Sequence, residues 1–217
     1  MPDHNCPGAD GWRFTGNRAM PITIYGDKVS GNCLKVKWTA ERVGRPHTWI
    51  DIDILKGESR TPEFLAMNPA GQSPVVKLED GRFLAQSGAI ILHLAEGSDL
   101  IPADPYDRAR MLEWMFWEQY SHEPAIAVAR FQMKYLGKSR AECDQRLFDR
   151  GHAALARMET ALGASPFLVG DRLTLADIAL VAYTRMAADG GFDLADYPTV
   201  KAWVGRVENS LGLGAYA

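Results

Sequence analysis

The hydrophobic period of the chain changes once, near residue 97, and that change divides it into two different kinds of structure. Before it, short strand-like and helix-like runs take turns. "ITIYGD" (22–27) reads as a strand, and "CLKVKWTAERVG" (33–44) as a helix with Val36, Ala40 and Val43 on one face and Gly44 at its end. "HTWIDID" (47–53) alternates like a half-buried strand. Thr61 and Pro62 suit the N-cap and first turn of a helix that Asn68 and Pro69 close. "PVVKL" (74–78) and "RFLA" (82–85) flank Asp80-Gly81, a pair suited to a tight hairpin turn. "SGAIILHLAE" (87–96) predicts a helix with Ile90, Ile91 and Leu94 inward. The order is βαβαββα. Its opening βαβ unit requires a parallel pair joined by a right-handed crossover, and its last two strands form a hairpin.

After the change of period no strand signal returns. "DPYDRARMLEWMFWEQYSHE" (104–123) and "PAIAVARFQMKYLG" (124–137) read as two helices divided by Pro124. "SRAE" (139–142) has the form of a capping box and predicts a helix from that point, burying Leu147, Gly151, Leu155, Met158 and Leu162. Thr174 and Asp177 form a second box ahead of "DIALVAYTR", with Asp177 as a determinant of the fold, and "YPTVKAWVGRVENSLG" (197–212) closes the series. The expected organisation is an α/β domain over 20–97, a Gly/Ser/Asp/Pro-rich linker over 98–105 and an all-helical domain over 106–217. The first nineteen residues lack periodicity and an apolar signal core, so they are expected to be a disordered tail, with Met20 as an alternative start.

Composition excludes several classes. The net charge of −3 offers no basic field for nucleic acid or anionic lipid, and no apolar run reaches the length of a membrane span. Three cysteines make no even disulfide framework, which fits a cytoplasmic protein. His47, His93, His122 and His152 have no metal-ligand spacing, so no metal site is expected.

Three short stretches carry chemistry. In "VSGNC" (29–33) Ser30 stands three residues before Cys33, where a strand hands over to a helix. A hydroxyl there is either a plain N-cap or a donor held beside the helix dipole. In "NPAGQSP" (68–74) a cis bond before Pro74 would expose the N–H and C=O of Ser73 to an extended ligand. In "QSGAI" (86–90) Gln86 and Ser87 open a helix whose N–H groups attract a carboxylate.

The order and spacing of these stretches, with "FLVGDRLTLADIAL" (167–180) in an all-helical second half, resemble the cytosolic glutathione transferases, and most closely the serine-type bacterial and theta/delta-like enzymes. The resemblance runs from Met20 to about Gly212. It implies a thioredoxin-like first domain that binds glutathione, a helical domain that walls an electrophile site, and a homodimer. It also implies roles for single residues. Gln72, Ser73 and Pro74 would hold the backbone and glycyl end of glutathione, and Gln86 and Ser87 its γ-glutamyl end. Ser30 would donate to its thiolate. Asn32 is the second-choice donor. Cys33 is an alternative nucleophile, although its place as the second residue of a C-x-x-C-like pair suits a packed side chain. Ser73 stands where the family has an aliphatic residue, and Gly88 where a larger polar one is common. Tyr120 and Arg130 are candidates for the electrophile pocket. A thiol with pKa about 8.5 is only about 3% ionised at pH 7. Lowering that pKa by about two units takes roughly 2.7 kcal/mol, which one charge-assisted hydrogen bond of about 1.5–3 kcal/mol supplies. The implied reaction is conjugation of glutathione to small hydrophobic electrophiles. Glutathione-dependent isomerisation, dehalogenation or peroxide reduction is a second reading, and a non-catalytic binding module a third.

Overall fold

β1 (Ile22–Gly26) lies at the heart of the first half, with Ile22 and Ile24 fully buried. The computed structural model describes residues 21–216, so the expectations for 1–19 and for Met20 lie outside the described residues. α1 (Gly31–Arg42) carries the chain from β1 to β2 (His47–Asp51), which pairs parallel to β1 with Ile22 opposite His47. After α2 (Pro62–Met67), β3 (Val75–Lys77) pairs antiparallel to β1, and β4 (Phe83–Ala85) folds back on β3. The sheet order is β2-β1-β3-β4, and α3 (Ser87–Ala95) packs beside α1. Thr61 caps α2 through its Oγ1, which accepts from the Phe64 N–H at 3.3 Å. Gly81 turns the hairpin at φ 86°, a value that favours glycine.

The second half is helical throughout: α4 (Pro105–Trp117), α5 (Glu123–Arg130), α6 (Gln145–Leu162), α7 (Leu175–Thr184) and α8 (Pro198–Leu211). Every residue of α7 is buried, and α1 packs directly on it, so one core runs through both halves. No helix among the described residues is long and apolar enough to cross a membrane.

Two expectations need correction. Pro124 does not divide two helices, because α4 continues into α5 through a wide π turn over Glu118–His122. Proline has no N–H for the carbonyl of Tyr120 four residues back, and the extra residue in the turn makes room for its ring. Arg150 Nη2 instead donates to that carbonyl at 3.4 Å. The second correction concerns "SRAE". The Glu142 carboxylate does accept from the Ser139 N–H and Oγ, at 2.8 and 2.7 Å, but this closes only one short turn. Cys143 is extended, Asp144 caps α6 afresh, and Phe148 is buried where Leu147 is only half-buried.

Asp177 is the polar anchor of the helical half. Its fully buried carboxylate accepts from the Leu168 and Thr174 N–H groups, Thr174 Oγ1 and Trp203 Nε1, all between 2.9 and 3.0 Å. Burial pushes its pKa up against those four bonds.

Candidate active site

The β1–α1 loop is built by Asp27, whose carbonyl accepts from the Ser30 N–H at 3.2 Å and whose side chain accepts from the Val29 N–H at 2.9 Å. Ser30 stands at the N-cap of α1 with extended backbone angles, and its hydroxyl makes no capping bond. That hydroxyl pulls down the pKa of the Cys33 thiol and of the Tyr183 phenol, in each case against a larger effect of burial. Gly31 permits the approach of α7, because a Cβ there would sit 2.8 Å from the Tyr183 ring. Tyr183 Oη accepts from the Asn32 N–H at 3.4 Å. Burial, with the Glu123 charge nearby, pushes the phenol pKa far up, so Tyr183 stays protonated and keeps a proton to donate.

Cys33 is fully buried. Its Sγ accepts from the Asp27 N–H at 3.4 Å and lies 3.7 Å from Ser73 Oγ. Burial raises its pKa, outweighing the Ser30 hydroxyl, the Asp27 N–H and the Ser73 hydroxyl, which pull the other way. A buried, protonated thiol is a poor nucleophile.

Asn32 joins the two halves. Its Oδ1 accepts from Lys35 Nζ at 2.8 Å and from Ser87 Oγ at 3.2 Å, and its Nδ2 lies 3.4 Å from Glu123 Oε1. Lys35 in turn pairs with Glu118 at 2.8 Å, both side chains only 1% exposed. Burial raises the Glu123 pKa, and the Lys35 charge opposes that rise. Beside Ser87, Gln86 has φ 69°, the one positive value outside glycine among the described residues. Such strain persists where the surroundings impose it, as they do at ligand sites.

These elements enclose a cleft of about 510 Å³. Ser30 and Asn32 line it from α1, Gln72, Ser73 and Pro74 from the loop before β3, and Gln86 and Ser87 from the start of α3. The Ser73–Pro74 bond is cis. Asn68 shapes that loop by donating to the Gln72 carbonyl at 2.7 Å. Arg60 is the one cationic side chain among the lining residues, and Gln119 and Glu123 reach in from the helical half.

Cys33 lies behind the cleft and does not line it. The two electrophile-pocket candidates are elsewhere. Tyr120 is 82% exposed on the outside of the π turn, and Arg130 is buried in an ion pair with Asp189 at 3.1 Å. Sequence reading also missed Lys35, Glu118, Glu123 and Tyr183. Only Lys35 left a signal, because its position three residues after Asn32 places both on one helix face. Among the described residues no group of three or more His, Cys, Asp or Glu side chains could hold a metal.

Comparison with known proteins agrees with this geometry. The family model "Glutathione S-transferase, N-terminal domain" matches residues 29–96, and "Glutathione S-transferase, C-terminal domain" matches 114–210. A maleylacetoacetate isomerase of Rhizobium meliloti is 34% identical over 85% of this chain and 90% of its own. Human glutathione S-transferase theta-2 is 30% identical over 89% of this chain and 83% of its own. The crystal structure of a glutathione S-transferase from Pseudomonas fluorescens superposes with a TM-score of 0.84 at 49% identity, covering 86% of this chain and 94% of that one. The thioredoxin-like and helical halves, the shared cleft and these relatives together place the chain in the glutathione S-transferase family.

Proposed function

We propose that the chain conjugates glutathione to small, uncharged hydrophobic electrophiles in the cytoplasm. The observation that carries this reading is the convergence of Ser30, the Gln72–Pro74 loop and the Gln86–Ser87 helix start on one cleft. Glutathione lies along the domain of residues 20–97, with its backbone against Ser73, its γ-glutamyl carboxylate at the N-terminus of α3 near Ser87, and its glycyl carboxylate toward Gln72 and Arg60. The Ser30 hydroxyl, free of capping duty, donates to the sulfur. The thiolate then attacks an electrophilic carbon and a C–S bond forms. In substitution the leaving group departs with its electron pair; in addition the pair moves onto the acceptor and is protonated. The electrophile enters from the domain of residues 106–217. Around the β1–α1 loop Asp51 pairs with Lys28 and Asp53 with Lys56, which leaves Asp27 as the carboxylate that weighs against an anionic partner.

A glutathione-dependent isomerase is the second reading, supported by the relative named a maleylacetoacetate isomerase. One assay separates the two. The protein is incubated with glutathione and, in turn, aryl halides, enones, peroxides and a cis-enone dicarboxylate. Adduct formation with the uncharged compounds supports conjugation. Isomerisation of the dicarboxylate alone overturns it in favour of the isomerase.

A further inference from the structure

We propose that the buried Lys35–Glu118 pair positions Asn32, turning its side-chain N–H₂ toward the thiol end of the cleft as a second donor to the glutathione sulfur. This rests on the glutathione reading above.

The pair contributes little net stability. Two charges 2.8 Å apart and 1% exposed have lost their hydration, and an apolar pair of the same volume commonly serves as well or better. What the pair does supply is direction. An ammonium has three protons and no lone pair. One proton of Lys35 goes to Glu118 Oε1 and one to Asn32 Oδ1, each at 2.8 Å, while the charge lies 5.5 Å from the centre of the Tyr183 ring. Glu118 is itself held, since its Oε2 accepts from Gln119 Nε2 at 2.7 Å.

The consequence falls on Asn32. Only its oxygen can face the ammonium, and the Ser87 hydroxyl donates to that same oxygen at 3.2 Å. The amide cannot flip without setting N–H₂ against N–H₃⁺. Its two protons therefore point the other way. Glu123 takes one over a long 3.4 Å contact, and the other is left for the cleft that Asn32 shares with Ser30. The charged and titratable groups around Asn32 are Lys35, Glu118, Glu123, Tyr183 and, behind them, His122. Lys35 is offset by Glu118, and Glu123 disfavours an anion, so the benefit to a thiolate is the directed hydrogen bond and not a net positive field. Lys35 belongs to α1 and Glu118 to the turn after α4, so the thiol donor is set by the docking of the two halves.

The test follows the thiolate absorbance of bound glutathione against pH, with glutathione affinity from calorimetry. Asn32→Ala should raise the bound thiol pKa by about one unit, roughly threefold less thiolate at pH 7 from a starting value of about 6.5. Lys35→Met should give a shift of similar size, and the combination Asn32→Ala/Lys35→Met no more than Asn32→Ala alone. Because Lys35→Met leaves a buried carboxylate unpaired, Lys35→Met/Glu118→Leu is measured alongside it and should show the same shift in a well-folded protein. Affinity should stay within several-fold in each. An unchanged thiol pKa in Asn32→Ala overturns the proposal, as does an unchanged value in the folded charge-free variant. Failure of the parent protein to bind glutathione at all overturns the functional reading instead, and the proposal with it.

Discussion

A serine that opens a helix ordinarily turns its hydroxyl onto the N–H groups of the first turn, and Ser30 does not. Its removal should therefore cost the helix little and the chemistry much. Ser30→Ala is expected to lower the conjugation rate at neutral pH by roughly ten- to hundred-fold, the worth of about 1.5–3 kcal/mol of thiolate stabilisation, with glutathione affinity within several-fold. The deficit should shrink as pH rises past the thiol's own pKa. Full activity of Ser30→Ala at pH 6.5 would transfer the role to Asn32. Cys33 predicts the opposite pattern. Because its thiol is fully buried and held protonated, Cys33→Ser should keep turnover and lose only some stability. A mixed disulfide found on Cys33 during turnover, with activity lost in Cys33→Ser, would make it the nucleophile. That Ser30, Gln72, Ser73, Gln86 and Ser87 share one cleft was legible in the sequence because each sits at an element boundary marked by Gly or Pro. The groups that aim them were not. Lys35 meets Glu118 across 83 residues, Asn32 meets Glu123 across 91 and Tyr183 across 151, and no local pattern records such pairs.

At the level of elements, order and type were readable from periodicity, whereas boundaries failed where a local signal has two uses. "SRAE" caps a single turn as well as it caps a helix, and the extended Cys143 decides for the turn. Pro124 breaks a regular helix but fits a π turn whose freed carbonyl finds Arg150. Asp177 shows the reverse, a local signal that tertiary structure reinforces. Asp177→Ala would strand four buried donors, and at about 1–3 kcal/mol each, reduced by relaxation, the loss should be on the order of 4 kcal/mol. Chemical denaturation reads it directly, and a loss below about 1 kcal/mol would show that water replaces the carboxylate. His122 ties the π turn to α7. The Thr184 hydroxyl donates to the Leu180 carbonyl, so His122 Nε2 carries the proton in its 2.9 Å bond to Thr184 Oγ1. Burial, aided by the Lys35 charge, pushes the imidazole from 6.5 to about 3. The unfolded chain thus binds a proton below pH 6.5 that the folded chain refuses until about pH 3. This contribution to stability is complete above 6.5 and declines as pH falls across that window, by up to about 1.4 kcal/mol per unit. Glu123 and Asp177 are shifted upward and act in the opposite sense. The discriminating measurement is the difference in pH slope between wild type and His122→Gln, which should be visible below pH 6.5 and vanish above it. Parallel slopes would mean that the imidazole charges in the folded protein.

For the whole molecule, the question is what covers the outer face of α4. Met111, Trp114 and Met115 point into the core. Phe116 and Tyr120 stand four residues apart on the other side, 69% and 82% exposed, with Leu112 half-buried one turn earlier. Tyr106 adds an aromatic that is 71% exposed at the start of the helix, and Phe83 on the edge strand β4 is 42% exposed. Single exposed apolar residues need no explanation, but Leu112, Phe116 and Tyr120 aligned over about two turns form a patch of the kind that a subunit contact would cover. A two-fold contact between the β4 side of one subunit and the α4 side of the other would cover both surfaces at once and close on itself without growing into a filament. Light scattering at micromolar concentration is therefore expected to give twice the mass of one chain. Charge placed on the stripe, as Phe116→Asp with Tyr120→Asp, should shift the mass toward one chain at dilution. Both side chains lie outside the core of the single chain, so the variant should still unfold cooperatively, with any loss of denaturant midpoint limited to what the subunit contact contributes. A parent protein that runs as one chain at that concentration while still conjugating glutathione would mean that the stripe is not a subunit contact and that a single chain completes the active site.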